Sequence, residues 1–372
     1  MNFACWMDPP FFDINDNRTQ QFLVTLESIR VAYSPVHRYI SILLCVFGLF
    51  ANSVHIWVLT RPQMRDSAVH TVLTCIAMAD MGTMISYSIY ITRYEFFKRA
   101  DGYTYGWSMF LKLHVVFSIG LHAISLYLVV LMAYIRYMAI KARYTKWMMP
   151  QLACVMSAIV AICIFLLCIP TYLLHSANRV LAENGEAKDP PKYVVTFSED
   201  FIDNHCALLK MNLWLTGIFL KVVPCILLLG FTFALLKKLR ENSKKRSALL
   251  HISDDKRSDR ITYMLLLMLA VFLTTELPQG FLAIFNAIFT SHFHGMVYMN
   301  IADFLDLFSL VNCYVGFIVF VTTGSKYRET LMTLLPFLKN RCTNSQTHIT
   351  YKKGVEHKSK DDMVDFHRQE HV

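Results

Sequence analysis

The chain has 372 residues, 55% hydrophobic and only 17% charged, with a formal net charge of +9. That is more apolar surface than one soluble core absorbs, which excludes an ordinary soluble enzyme or binding domain and points to a membrane protein. The basic residues flank apolar runs instead of interleaving with exposed aromatic side chains on one module, which disfavours nucleic-acid binding.

A membrane-spanning helix needs about 20 predominantly apolar residues. Seven runs qualify, at about 39–60, 69–91, 108–139, 150–174, 212–238, 260–289 and 297–323. The expected fold class is therefore an all-α membrane protein, a seven-transmembrane helix bundle. Residues 1–38 are expected as an extracellular amino-terminal segment and 39–323 as the bundle; 324–340 should form an amphipathic helix on the membrane surface and 341–372 a disordered cytoplasmic tail. With the amino terminus outside, the cytoplasmic segments carry 24 Lys and Arg against 10 on the outer ones, the bias that orients multi-span proteins. The first 38 residues contain no basic start followed by an apolar core, so the first span is expected to serve as its own targeting signal.

The amino-terminal segment carries Asn17-Arg18-Thr19, a glycosylation acceptor pattern consistent with an outer location. Cys5 and Cys206 are the two cysteines on the oxidising side; they either bridge or stand as free thiols. Span 1 places Gly48 and Asn52 on one face, where a small residue permits close helix approach and an amide bonds across. In span 2, Asp80, Thr83, Tyr87 and Tyr90 share a face, and Asp80 needs polar partners on spans 3 and 7. Span 3 carries His114, Ser118, His122 and Ser125 at spacings of four, four and three. Its two histidines lack a cysteine or carboxylate at ligand spacing, so no metal site is expected. The second outer loop, 175–211, is net acidic and suited to steering a cation. Lys221 interrupts span 5 as a buried cation, and the basic stretch 236–260 suits an acidic partner surface or anionic lipid.

Span 6 contains FLTTELPQG, Phe272 to Gly280. An ionisable group at mid-depth costs roughly 2.5 to 3.5 kcal/mol even on the lenient insertion scale, so Glu276 should face a bundle interior. Pro278 lacks an N–H and clashes with the carbonyl of Thr274, so a kink is expected beside the carboxylate. Span 7 aligns Asp306, Ser309, Asn312 and Gly316 on one face, with Asp303 above. Beyond it, Leu331, Leu334, Leu335 and Leu338 lie opposite basic residues, and Cys342 is a palmitoylation candidate. Polar stripes that avoid lipid must converge. They define an outward-open pocket floored by Asp80 and walled by Glu276, with Tyr87, Tyr90, His114, His122, Gln279, Asp303 and Asp306 as further ligand-facing candidates and a cation as the preferred ligand.

Asn52, Asp80, Trp107, Arg136, Pro224 and Pro278, on successive segments, resemble the rhodopsin-like seven-helix G-protein-coupled receptors across residues 39 to 338. HAISLYL, NLWLTGIFLKVVPCILL, DRITYMLLLMLAVFLTTELPQG and DFLDLFSLVN are similar to the invertebrate myosuppressin or FMRFamide-type neuropeptide receptors of the Srw serpentine group. That resemblance implies a plasma-membrane receptor whose partners are an extracellular peptide and a heterotrimeric G protein, the latter met by Arg136 with Tyr137. Asp80, Ser125 and Asn312 would form the buried polar or sodium cluster, with Asn52 beside it, and Glu276 with Pro278 the pivot. No other cofactor is implied. An amidated Arg-Phe end would enter the pocket, its guanidinium at Asp306, Asp303 or Glu276 and its ring against Tyr87, Tyr90 and His122.

Three features depart from the superfamily pattern: Ile135 replaces the acidic residue before Arg136, Gly316 to Phe320 lacks the usual amide and hydroxyl, and no cysteine stands near Leu111. The first two motivate a non-signalling, decoy receptor as the alternative. A transporter relaying charge through Asp80, Glu276 and Lys221 is disfavoured by the absence of internal repeats. Retinal binding is disfavoured because span 7 has no lysine before Lys326, and enzymatic activity because no nucleophile, base and orienter group together.

Overall fold

The computed structural model describes residues 9–99, 101–141, 148–181, 190–248 and 255–334. Seven of its helices are long and apolar enough to cross a membrane. They run Asn17–Leu59, Ala68–Phe96, Tyr105–Lys141, Pro150–Leu174, Cys206–Lys238, Leu266–Ile288 and Thr290–Thr323, and are called spans 1 to 7 below. Residues 1–323 form one compact unit and 324–372 a second. In the second, the described residues contain a helix, Ser325–Leu334; Leu335, Leu338 and Cys342 lie outside the described residues.

Span 1 departs most from expectation. Its helix begins at Asn17, more than twenty residues before the apolar run, and continues through Pro35 for 43 residues. Asp16 caps it by accepting from the Thr19 N–H at 3.1 Å, and no glycine interrupts the chain before Gly48. Helix propensity here outlasts hydrophobicity, which reports only the lipid-embedded part. Span 6 likewise continues through Pro278 as one helix.

Spans 1 and 2 meet at Gly48, where an added Cβ would lie 2.2 Å from the Met84 Cε. Spans 5 and 6 meet at Gly217, whose Cβ would lie 3.2 Å from both the Cβ and the carbonyl oxygen of Ala283. Small residues at such seams let backbones approach where lipid supplies no hydrophobic drive. Three spans change helical pitch; Thr290–Tyr298 opens span 7 as a π-helix. Ile91–Phe96 ends span 2 as a π-helix, and Leu215–Val222 forms a π segment within span 5, immediately before Pro224. Span 7 breaks between Asn312 and Val315 without a proline. There Cys313 and Tyr314 donate to Leu310 and Val311, and the Cys313 carbonyl accepts from Asn52 Nδ2 at 2.7 Å.

Between spans 4 and 5, strand β1 (His175–Arg179) pairs antiparallel with β2 (Tyr193–Phe197), His175 opposite Phe197. Tyr103 bridges to Tyr193 beside this hairpin, helped by the positive φ of Gly102, +95°. Three of the six acidic residues expected to steer a ligand, Glu183, Glu186 and Asp189, lie outside the described residues.

Candidate functional site

A cavity of about 370 Å³ opens among spans 2 to 7, span 4 contributing Thr171 and Leu174 at its end, with the hairpin pair His175 and Phe197 also lining it. Its volume is at the small end for a ligand pocket, enough for the end of a longer molecule. Tyr87, His122, Gln279 and Asp306 bring the expected polar stripes into it. The Asp306 side chain is exposed to this space. Its bonded partner is the Tyr87 hydroxyl, which donates to Oδ2 at 3.0 Å. That hydroxyl lies 3.1 Å from His37 Nε2, in turn 3.2 Å from Ser41 Oγ. Across the cavity, Lys221 Nζ donates to Gln279 Oε1 at 2.6 Å. Higher on the wall, Asn286 and His294 also face it, and the Asn286 Oδ1 and His294 Nδ1 atoms have no hydrogen-bond partner among the described residues.

Glu276 sits beneath this cavity, not in its wall, and is fully buried. Its Oε2 lies 3.1 Å from His122 Nε2, an ion pair when that imidazole is protonated. Its Oε1 accepts from Asn312 Nδ2 at 2.5 Å, while Asn312 Oδ1 accepts from Thr275 Oγ1 at 2.7 Å. Spans 3, 6 and 7 are thus tied through one carboxylate. With both oxygens committed, Glu276 does not offer the guanidinium contact expected of it.

Asp80 also lies below the cavity and does not floor it. Ser125 Oγ donates to its Oδ1 at 2.5 Å. Beside it is a space of about 10 Å³ lined by Asn52, Asp80, Asn312 and Cys313 among others, close to the size of one water. Carboxylate and hydroxyl oxygens are the donor types a small hard cation takes, so the residues fit sodium as implied.

Tyr90 and His114 leave the cavity for an aromatic stack. Their rings lie 4.7 Å apart at 8°, His114 Nδ1 lies 2.8 Å from Ser86 Oγ, and Phe110 continues the stack. Asp303 does not line the cavity either. At the other end of span 3, Ile135 is buried, and Arg136 Nε has no partner among the described residues; Tyr137 packs on Phe231 with ring centroids 6.3 Å apart. Cys206 is disulfide-bonded and the seven other described cysteines are free; Cys5 lies outside the described residues. Asn17 is the first residue of span 1.

Three contributors escaped the sequence reading. His37 stood just outside the predicted first span. Asn286 lay inside the predicted sixth span without being singled out, and His294 lay in the outer segment between the predicted sixth and seventh spans. A further contact is formed by Phe11, whose ring packs on Phe285, Phe289 and Phe293 while its N–H donates to His292 Nδ1 at 3.3 Å.

The family described as the serpentine type 7TM GPCR chemoreceptor Srw matches residues 39–337. A Caenorhabditis elegans protein, G-protein coupled receptor dmsr-1, is 31% identical over 357 residues, covering 83% of this chain and 70% of that one. The Atypical chemokine receptor 3 of Rattus norvegicus and that of Mus musculus are each 23% identical over 317 residues, covering 80% of this chain and 78% of theirs.

Proposed function

The chain belongs to the Srw family of serpentine seven-transmembrane G-protein-coupled receptors, and on that premise we propose that it receives an extracellular neuropeptide ending in an amidated Arg-Phe and signals through a heterotrimeric G protein. The observation that carries the ligand class is Asp306, a carboxylate exposed to the cavity with a phenol as its bonded partner. A guanidinium supplies the missing charge-assisted bonds. Tyr87 beside it offers a ring face to an aromatic neighbour, and the unpartnered Asn286 Oδ1 accepts a peptide N–H.

In this reading the protein sits in the plasma membrane with its amino terminus outside. Asn17 carries a glycan, Cys5 is the partner of Cys206, Cys342 is palmitoylated, and the helix Ser325–Leu334 lies on the inner membrane surface. Ligand entry shifts the Glu276–His122–Asn312 tie, and spans 3, 6 and 7 carry that change to Arg136.

The test is G-protein activation in cells expressing the chain, with and without a panel of Arg-Phe-amide and myosuppressin-like peptides, beside Arg136→Ala. A peptide-dependent signal lost in Arg136→Ala is the expected result. Absence of both signal and binding from a chain shown at the surface rejects the peptide class. One observation favours a second reading: Ile135 gives Arg136 no acidic neighbour, which alters the resting arrangement of the coupling end. Binding at the surface without G-protein activation would establish a decoy receptor.

A further inference from the structure

Lys221 is the one Lys or Arg among the described residues lining the cavity. Its bonded partner, Gln279 Oε1 at 2.6 Å, is neutral, and no described carboxylate lies within ion-pair reach of it. An ammonium has three N–H donors, of which Gln279 takes one. The Gln279 amide is itself held on the other side, its Nε2 donating to the Thr275 carbonyl at 3.3 Å and to Ser309 Oγ at 3.4 Å.

The backbone around Lys221 is specialised. It lies in the π segment Leu215–Val222, which shifts the helical register and re-aims the side chains it carries. One turn above it, Gly217 lets span 5 close on Ala283 of span 6, fixing the two walls at this level. Asp306 and Lys221 both line the cavity, and each has a neutral partner. Two opposite charges that leave each other unpaired in a low-dielectric site call for an occupant with a donor cation and an acceptor oxygen.

We propose that Lys221, oriented by Gln279, is a specificity-determining residue that binds the terminal carbonyl oxygen of the ligand, while Asp306 binds its cation. The assignment rests on the peptide reading above and goes beyond it by naming what the second pole of the cavity recognises. The shared chemistry is a terminal C=O, which a carboxamide and a free carboxylate both present.

The test measures binding to surface-expressed wild type, Lys221→Met, Lys221→Arg and Asp306→Asn. The probes are a peptide ending in Arg-Phe-amide, its free acid, its citrulline analogue, and an analogue ending in phenethylamine, which keeps the ring but lacks the terminal carbonyl. Lys221→Met is expected to weaken the better-bound of the amide and acid by about 10- to 100-fold, to leave the phenethylamine analogue within about threefold, and to be partly rescued by Lys221→Arg. Asp306→Asn should penalise the arginine peptide and spare the citrulline one. The larger Lys221→Met loss, on amide or on acid, identifies the natural end. Equal losses on the carbonyl-bearing and carbonyl-free peptides, or no loss, overturn the assignment while leaving the peptide reading intact. If wild type at the surface binds none of the probes, the peptide reading fails and takes this assignment with it.

Discussion

Glu276 and Asp306 are both carboxylates on membrane-spanning helices, yet they live differently. Glu276 is fully buried, and its two oxygens meet His122 and Asn312. Asp306, two turns of helix above Asn312, is exposed to the cavity and bonded to Tyr87. The difference separates two roles that the sequence presents alike. A carboxylate with both oxygens bonded ties helices together; one with open lone pairs and room beside it has capacity for a further donor, the basis of the ligand role proposed for Asp306.

The comparison breaks first if Glu276 is dispensable. Glu276→Ala strips partners from a partly buried imidazole and a buried amide, at up to about 1 to 3 kcal/mol for each group left unsatisfied. Surface expression by flow cytometry should fall severalfold. Glu276→Gln, which still offers an oxygen to Asn312 and a shape match to His122, should restore expression but shift basal activity or peptide potency. Full expression of Glu276→Ala would reduce the node to packing. Next in size, Asp306→Ala should leave surface amounts near normal and lower affinity for an Arg-containing peptide about 10- to 100-fold, with little change for a neutral analogue. Equal losses for the two would remove Asp306 as the guanidinium partner.

Ser125→Ala deletes the bond to Asp80. Intramembrane side-chain bonds average about 0.6 kcal/mol and reach about 1.7, so a fall of a few degrees in the melting temperature of the purified protein is expected, with peptide affinity nearly unchanged. Tyr87→Phe should have the smallest effect. It keeps the ring and frees Asp306 Oδ2, so affinity should move by less than about fivefold; a collapse of binding would show that the His37–Tyr87–Asp306 chain, not the carboxylate alone, forms the cation site.

The bundle was legible because lipid imposes long uninterrupted apolar runs, and the site was partly legible because polar residues inside such runs must face inward. Depth was the harder coordinate. His114, Ser118, His122 and Ser125 share a face, but eleven residues of helix cover about 16 Å, so one stripe serves an aromatic stack, the cavity, the Glu276 node and Asp80 in turn. Asp80 and Glu276 were placed in the pocket for the same reason: periodicity gives the face and not the level. Lys221 was noticed as a buried charge, but the π segment that carries it leaves the 3.6-residue rhythm, so its direction was not readable. The hairpin that brings His175 and Phe197 together depends on pairing across 21 residues and on no local motif.

Span 1 carries one more consequence. At 1.5 Å per residue, its 43 residues measure about 65 Å, twice the roughly 30 Å hydrocarbon thickness. That leaves a helical extension of about half its length beyond what a bilayer requires, with Arg30 bonded to Asn300 at 2.8 Å and Tyr33 stacked on Phe304 bracing it to span 7. A fluorophore at its tip would be a height gauge, its energy transfer to labelled lipid headgroups reporting any tilt of span 7 through a lever fixed at both braces.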